Sequence, residues 1–196
     1  MSWGTCTVPD GRRGLWTIDT ITLTREDVML TNMRYLRDGD GYLCIPPGTY
    51  RRLHHKKRGV VMSNTPMEKN TSFAAYKGAV GSVLINGLGL GMVLEGILTK
   101  PGVTRVRVVE LDLDVIALVG PHFANDPRVE ITQGDAYEYV PGKDERYDFV
   151  WHDIWDNISS ENLPKMAKLT RKWSRRAGAQ AVWSRKEARR EARRYR

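Results

Sequence analysis

From Val83 to Gly91 the chain reads Val-Leu-Ile-Asn-Gly-Leu-Gly-Leu-Gly, an apolar run that breaks into three glycines at alternate positions. Glycines between a buried strand and a helix let the backbone turn sharply and approach a ligand with no Cβ in the way. The helix that follows presents free N–H groups and the positive end of its dipole. Glu110 closes the next strand-like run, 19 residues beyond Gly91. A carboxylate there can accept from both hydroxyls of a ribose. The run after that ends in Gly134-Asp135-Ala136. Its aspartate can accept from an adenine exocyclic amine, and the small Ala136 leaves room for the ring. Either acid alone reads equally well as a surface carboxylate, but the three features in order read as an adenosine site. Met92 stands where a G-x-G-x-x-G dinucleotide fingerprint needs its last glycine, which counts against a nicotinamide dinucleotide.

The elements that must hold these groups follow from hydrophobic periodicity. Strands are predicted at Val83–Asn86, Arg105–Leu111, Arg128–Thr132, Tyr147–Asp153 and Ala177–Trp183. Helical stretches fall between them, at Met92–Leu98, Asp112–Phe123 and Ser159–Ser174. Such alternation implies an α/β, Rossmann-like, mostly parallel sheet with right-handed crossovers. The expected order is 3-2-1-4-5, with a reduced C-terminus and an exposed edge that a second copy, making a homodimer, could cover. Residues 1–72 read as a small N-terminal α+β extension, 73–183 as the Rossmann-like domain and 184–196 as a basic helix or tail. In the extension, Trp16–Thr24 alternates as a strand. Thr24-Arg-Glu-Asp27 forms a capping box ahead of a helix that Asp38-Gly-Asp-Gly41 stops. Tyr42–Ile45 is predicted as a short strand, and Met62–Thr71 as a polar connecting segment.

At this point the run from Pro101 to Asp112 (PGVTRVRVVELD) and that from Asp126 to Ala136 (DPRVEITQGDA) carry a resemblance. Residues 80–157 resemble class I S-adenosylmethionine-dependent methyltransferases, in particular the spermidine-synthase-like branch. The resemblance implies S-adenosyl-L-methionine as cofactor. Gly87, Gly89 and Gly91, with Asn86, would face its amino-acid part. Glu110 with Leu111 would hold the ribose, and Asp135 with Ala136 the adenine. Asp153 would sit beside the sulfur and the acceptor. Ser63 and Thr65 could donate to the methionine end if the segment around them closes over it. In aminopropyltransferases of that branch the glycine turn carries an aspartate where this chain has Leu90, and an Asp-Ser-Ser-Asp-Pro type loop stands where this chain has Asp153-Ile-Trp-Asp156-Asn157. The departures favour methyl transfer over aminopropyl transfer. The N/D-P-P-Y/F and Pro-Cys signatures of nucleobase methyltransferases are missing.

For methyl transfer to an amine or hydroxyl, Asp153 is the first candidate for base or orienting group, with Asp156 second. His152 is the alternative base, although strand alternation turns it away unless the strand has ended. Trp155 could cover a cationic acceptor or the sulfonium with its ring face, and both Trp151 and Trp155 also suit plain core packing.

Composition narrows the setting. The chain has 196 residues and net charge +8, yet 13 of its 31 Lys and Arg, and only 2 of its 23 Asp and Glu, lie from Lys165 onward. The positive charge belongs to that segment, read either as a solvated helical face or as a footprint for nucleic acid. The methyl acceptor, small or macromolecular, is not legible. Two cysteines, Cys6 and Cys44, far apart, fit a reducing cytoplasm and no zinc site. His54 and His55 adjoin, so on a strand they face opposite ways and share no metal. The N-terminus lacks the apolar run of a secretory signal. The most apolar stretch, Gly78–Leu98, holds six glycines with Asn86 and Glu95, so a strand–turn–helix explains it better than a membrane span. A non-catalytic cofactor-binding module associated with nucleic acid is the third reading, after methyl and aminopropyl transfer.

Overall fold

The computed structural model describes residues 3–194. Five parallel strands form its centre: β5 (Gly81–Asn86), β6 (Val103–Glu110), β7 (Val129–Gln133), β8 (Tyr147–His152) and β9 (Ala177–Val182), in the order β7-β6-β5-β8-β9. This is the expected 3-2-1-4-5 arrangement, a Rossmann-like α/β sheet. Its central strand is apolar on both faces because helices cover both. Val83 and Ile85 of β5 enter the core shared with α3 (Met92–Leu98) and α4 (Leu113–Phe123). Leu84 enters the opposite core with Leu169 and Trp173 of α5 (Leu163–Trp173). The alternation of side chains along a strand thus sorts one run of sequence into two cores.

A four-stranded antiparallel sheet precedes it: β1 (Gly11–Arg13), β2 (Trp16–Leu23), β3 (Gly48–His55) and β4 (Gly59–Ser63), paired in chain order. The Thr24–Asp27 capping box opens α1 (Arg25–Arg37), with both reciprocal bonds made. The predicted strand at Tyr42–Ile45 is instead one 3-10 turn, Gly41–Leu43. Asn32 fixes the residues behind it, bonding Ile45 through both its amide atoms at 2.8 Å. The turn therefore meets a helix and not a neighbouring strand. The basic run at Arg51–Arg58 forms the end of β3 and the turn into β4, as a hairpin arm.

The segment Met62–Thr71 is not a plain connection. It ends β4 and then enters α2 (Pro66–Gly78), with Pro66 in the first turn where its missing N–H costs nothing. The buried residues of α2 are Glu68, Thr71, Ser72 and Ala75, spaced as one helical face. Three of those four are polar, so hydrophobic periodicity does not reveal the helix.

The basic C-terminal segment is α6 (Arg185–Arg194), and it is docked. Arg190 pairs with Asp40, and Arg194 with Asp38 at 3.2 Å and Asp40 at 3.0 Å. Tyr42 donates to Glu187. The last helix thereby ties the Rossmann-like sheet to the N-terminal extension. None of the described helices is long and apolar enough to cross a membrane.

Candidate functional site

A cavity of about 320 Å³ lies over the carboxyl ends of β5, β6, β7 and β8. That is the crevice where open α/β sheets bind ligands, and the volume suits a small molecule. Its roof comes from the antiparallel sheet, with Trp16, Leu53, Arg58, Val61 and Met62.

The floor is the glycine turn. Gly87 has φ +98°, and a Cβ there would lie 1.9 Å from the carbonyl oxygen of Asp153. Gly89 has φ +52°, and its Cβ would fall 2.5 Å from Met62 Sδ. Both positions need glycine on two counts, handedness and space. The turn's donors, read from sequence as free for a ligand, are partly engaged. Leu88 N–H donates to Glu110 Oε2 at 2.7 Å, and Leu90 N–H meets Met62 Sδ at 3.2 Å.

Glu110, at the end of β6, also accepts from Asp112 N–H through Oε1 at 2.9 Å. Two backbone donors hold its carboxylate in one orientation, and each oxygen keeps a further lone pair for a ligand. Asp135, in the loop after β7, accepts from Tyr137 N–H at 2.7 Å, and Ala136 lies beside it. Tyr137 Oη is buried without a partner. Glu110, Leu111, Asp135 and Ala136 therefore line one cleft with Gly87 and Gly89.

Asp153 and Trp155 line the same cavity from the loop after β8, as does Asp156. Burial lifts the Asp153 carboxyl to about 7; the nearby Trp151 indole N–H opposes this and the Glu110 charge adds to it. Asp156 is committed to the Arg58 guanidinium, which lies 5.1 Å from the Trp16 ring centroid. Trp16 in turn donates from Nε1 to Asp112 at 2.7 Å.

Five expected site residues lie elsewhere. Gly91 caps α3 with φ +77° and packs on Phe123 and Val119. His152 is still inside β8 and fully buried, so its ring faces away from the cavity, as alternation requires. It bonds Asn86 Nδ2 at 2.9 Å and Gln180 Oε1 at 3.0 Å, a polar row across three strands beneath α5. Burial there pulls the imidazole down to about 4, which keeps it neutral. Asn86 lies in the same row, its Nδ2 on His152 and its Oδ1 buried without a partner. Ser63 and Thr65 are buried and bond each other at 3.0 Å instead of pointing at a ligand.

Glu68 is the residue sequence reasoning missed. From the first turn of α2 it lines the cavity at 6% exposure. Burial, and then the Asp153 charge, push its carboxyl up to about 8, while Trp183 and the Ser63 backbone pull the other way. Its signal was there: an acid in register with Thr71, Ser72 and Ala75, on a polar segment that leads into the first parallel strand.

Two raised carboxyls make stability fall as pH rises. Between the ordinary carboxyl range and about 7 for Asp153 or about 8 for Glu68, the folded chain holds protons that the unfolded chain has lost. Unfolding free energy then drops by up to about 1.4 kcal/mol per pH unit for each group. The ligand-free chain should melt at a lower temperature at pH 8.5 than at pH 5.5, and Glu68→Gln should flatten the decline. Calorimetric scans across that range check it, and a profile that rises or stays level contradicts it.

No protein-family model matches the chain. A stretch of 81 residues is 40% identical to the polyamine aminopropyltransferase of Korarchaeum cryptofilum (strain OPF8), covering 38% of this chain and 25% of that one. The chain thus spans about a quarter of the length of this curated relative. The solved spermidine synthase from Thermotoga maritima is similar over 62% of this chain and 49% of that one, at 21% identity and TM-score 0.40. The CcbJ methyltransferase from Streptomyces caelestis is similar over 59% and 48%, at 19% identity and TM-score 0.44.

Proposed function

We propose that the cavity binds an S-adenosyl sulfonium donor and that the chain is an enzyme transferring an alkyl group from its sulfur, with S-adenosyl-L-methionine and methyl transfer as the first reading. One observation carries it: Glu110, fixed by two backbone N–H groups, shares a cleft with Asp135 over a turn that tolerates only glycine. The residues fit the group. Gly87 and Gly89 place no Cβ in the floor, Glu110 has lone pairs for two ribose hydroxyls, and Asp135 with Ala136 lines the same cleft. When bound, the sulfonium supplies an already activated carbon, so alignment and exclusion of water supply most of what remains. Asp153, with its carboxyl near 7, can accept a proton from an acceptor atom at neutral pH. Asp156 is held by Arg58, and His152 faces another layer.

Aminopropyl transfer is the second reading, and a charge inventory favours it. Six carboxylates line the cavity, Glu68, Glu110, Asp112, Asp135, Asp153 and Asp156, against one cation, Arg58, already paired. No free basic side chain among the lining residues faces the carboxylate of S-adenosylmethionine, and a decarboxylated donor has none to be met. Leu90, where an aspartate would serve that reaction, is fully buried.

The two readings leave different by-products. The chain, incubated with S-adenosylmethionine or its decarboxylated form and a panel of amines and hydroxyl compounds, is assayed by mass spectrometry. S-adenosylhomocysteine marks methyl transfer, and 5′-methylthioadenosine from the decarboxylated donor marks aminopropyl transfer. Binding without either product removes the enzyme and leaves a cofactor-binding module, for which the exposed Lys186, Arg189 and Arg193 of α6 would meet nucleic acid.

A further inference from the structure

We infer that α1 is an association surface for a second copy of this chain, packed antiparallel along the stripe Glu26–Leu30–Met33–Arg37. Val28 is the one buried residue of this helix. Val28, Asn32 and Tyr35, at helical spacing, form the side turned to the protein, where Asn32 holds the Ile45 backbone. On the outward side stand Met29, Leu30, Met33 and Leu36, each at least 50% exposed. Single exposed apolar side chains are ordinary, but four on one helix form a patch that marks an interaction surface. A 13-residue helix is marginal without a packed face, and α1 buries a single residue against its own chain.

The order of residues in the stripe selects the occupant. Positions 26, 30, 33 and 37 are spaced 4, 3 and 4 apart, the seam along which two helices pack. That spacing reads the same in both directions. An antiparallel copy related by a two-fold axis therefore sets Leu30 opposite Met33 of the second copy, and Glu26 opposite its Arg37. The flanks then match as well. Met29 falls beside Leu36 of the second copy on one side, and Asp27 beside its Arg34 on the other. Acids fill the first turn of α1 and bases the last, so the antiparallel arrangement matches both charge and helix dipole. Among the described residues Arg37 pairs only with its neighbour Asp38, at 3.3 Å and exposed, while Glu26 and Arg34 pair with none. An anionic membrane would suit Arg34 and Arg37 but repel Glu26 and Asp27 on the same helix. None of these residues lines the cavity, so the surface is independent of the chemistry there. The helix is about 20 Å long. Pairing it alone buries less than the roughly 1,200 Å² of a stable interface, so the dimer is weak and reversible, half-formed at about 10–100 µM.

Sedimentation equilibrium of the full chain from about 5 to 500 µM spans that range. Wild type is expected to shift from one chain toward two, and Leu30→Glu to stay at one. Met33→Glu is the second such variant; both side chains are exposed, so circular dichroism should show an unchanged fold. Glu26→Arg or Arg37→Glu alone sets like charges opposite each other twice and should weaken the dimer about tenfold, and the double variant should return to within about threefold of wild type. An effect of these charges within one helix would add in the double variant instead of cancelling. A wild type that stays a single chain overturns the proposal, and so does a dimer that Leu30→Glu and Met33→Glu leave intact, because it would use another face. Single reversals without effect, or a double variant that fails to recover, overturn the antiparallel seam and the proposal with it. A single-chain wild type that sediments with phosphatidylglycerol vesicles, and loses this with Leu30→Glu, gives the stripe to a membrane surface instead.

Discussion

Glu110→Ala is expected to weaken 5′-methylthioadenosine binding by about 100-fold or more. The ligand's ribose would offer two hydroxyls to one ionised carboxylate, and each charge-assisted bond contributes about 1.5–3 kcal/mol. Losing both corresponds to a factor of about 100 at the low end. The same substitution releases Leu88 N–H and Asp112 N–H, so the glycine turn and the start of α4 lose their common anchor. Glu110→Gln, which keeps one acceptor oxygen, should fall between wild type and alanine. Titration calorimetry, with melting temperature as a control on folding, gives the answer. Unchanged affinity in a folded Glu110→Ala variant would mean that no sugar is gripped at the end of β6.

Asp153→Asn should cost turnover and spare binding. The substitution keeps the shape of the side chain and removes its capacity to take a proton. Loss of a positioned base lowers rates by about 10²- to 10⁴-fold. Adenosyl affinity should stay within a few-fold, because Glu110 and Asp135 hold the other end of the ligand. The wild-type rate should climb with pH through about 7, where the Asp153 carboxyl ionises, and the variant should lose that rise. Single-turnover rates across pH decide the matter. A variant with wild-type rate leaves Asp153 at most an orienting role.

How much of this was legible beforehand differs by layer. The parallel sheet was, since β5 and β8 carry apolar runs that suit a doubly covered sheet, and Gly87 and Asp153 mark their ends. Strand alternation alone sent His152 to the correct side. Asn86 stands in register with His152, so the same rule removes it from the cleft, but only once the pairing of β5 with β8 is known. The roof was not legible. Arg58, Trp16 and Met62 reach the cavity through the antiparallel sheet, whose position over the crevice is a matter of tertiary packing. Glu68 was hidden for a different reason: its helix buries polar side chains, and periodicity detects helices by what is apolar.

The pairing of Arg58 with Asp156 in the cavity lining gives an arriving charge a different reception according to its sign. Both partners are 45% exposed, and exposed pairs of this kind are worth about 1 kcal/mol or less, so the pair opens easily. What passes depends on sign. An arriving cation can take over Asp156 while the freed guanidinium stays on the Trp16 ring, and no charge is stranded. An arriving anion can only take over Arg58, leaving Asp156 bare beside five other carboxylates. A cation should therefore meet less opposition at this pair than an anion.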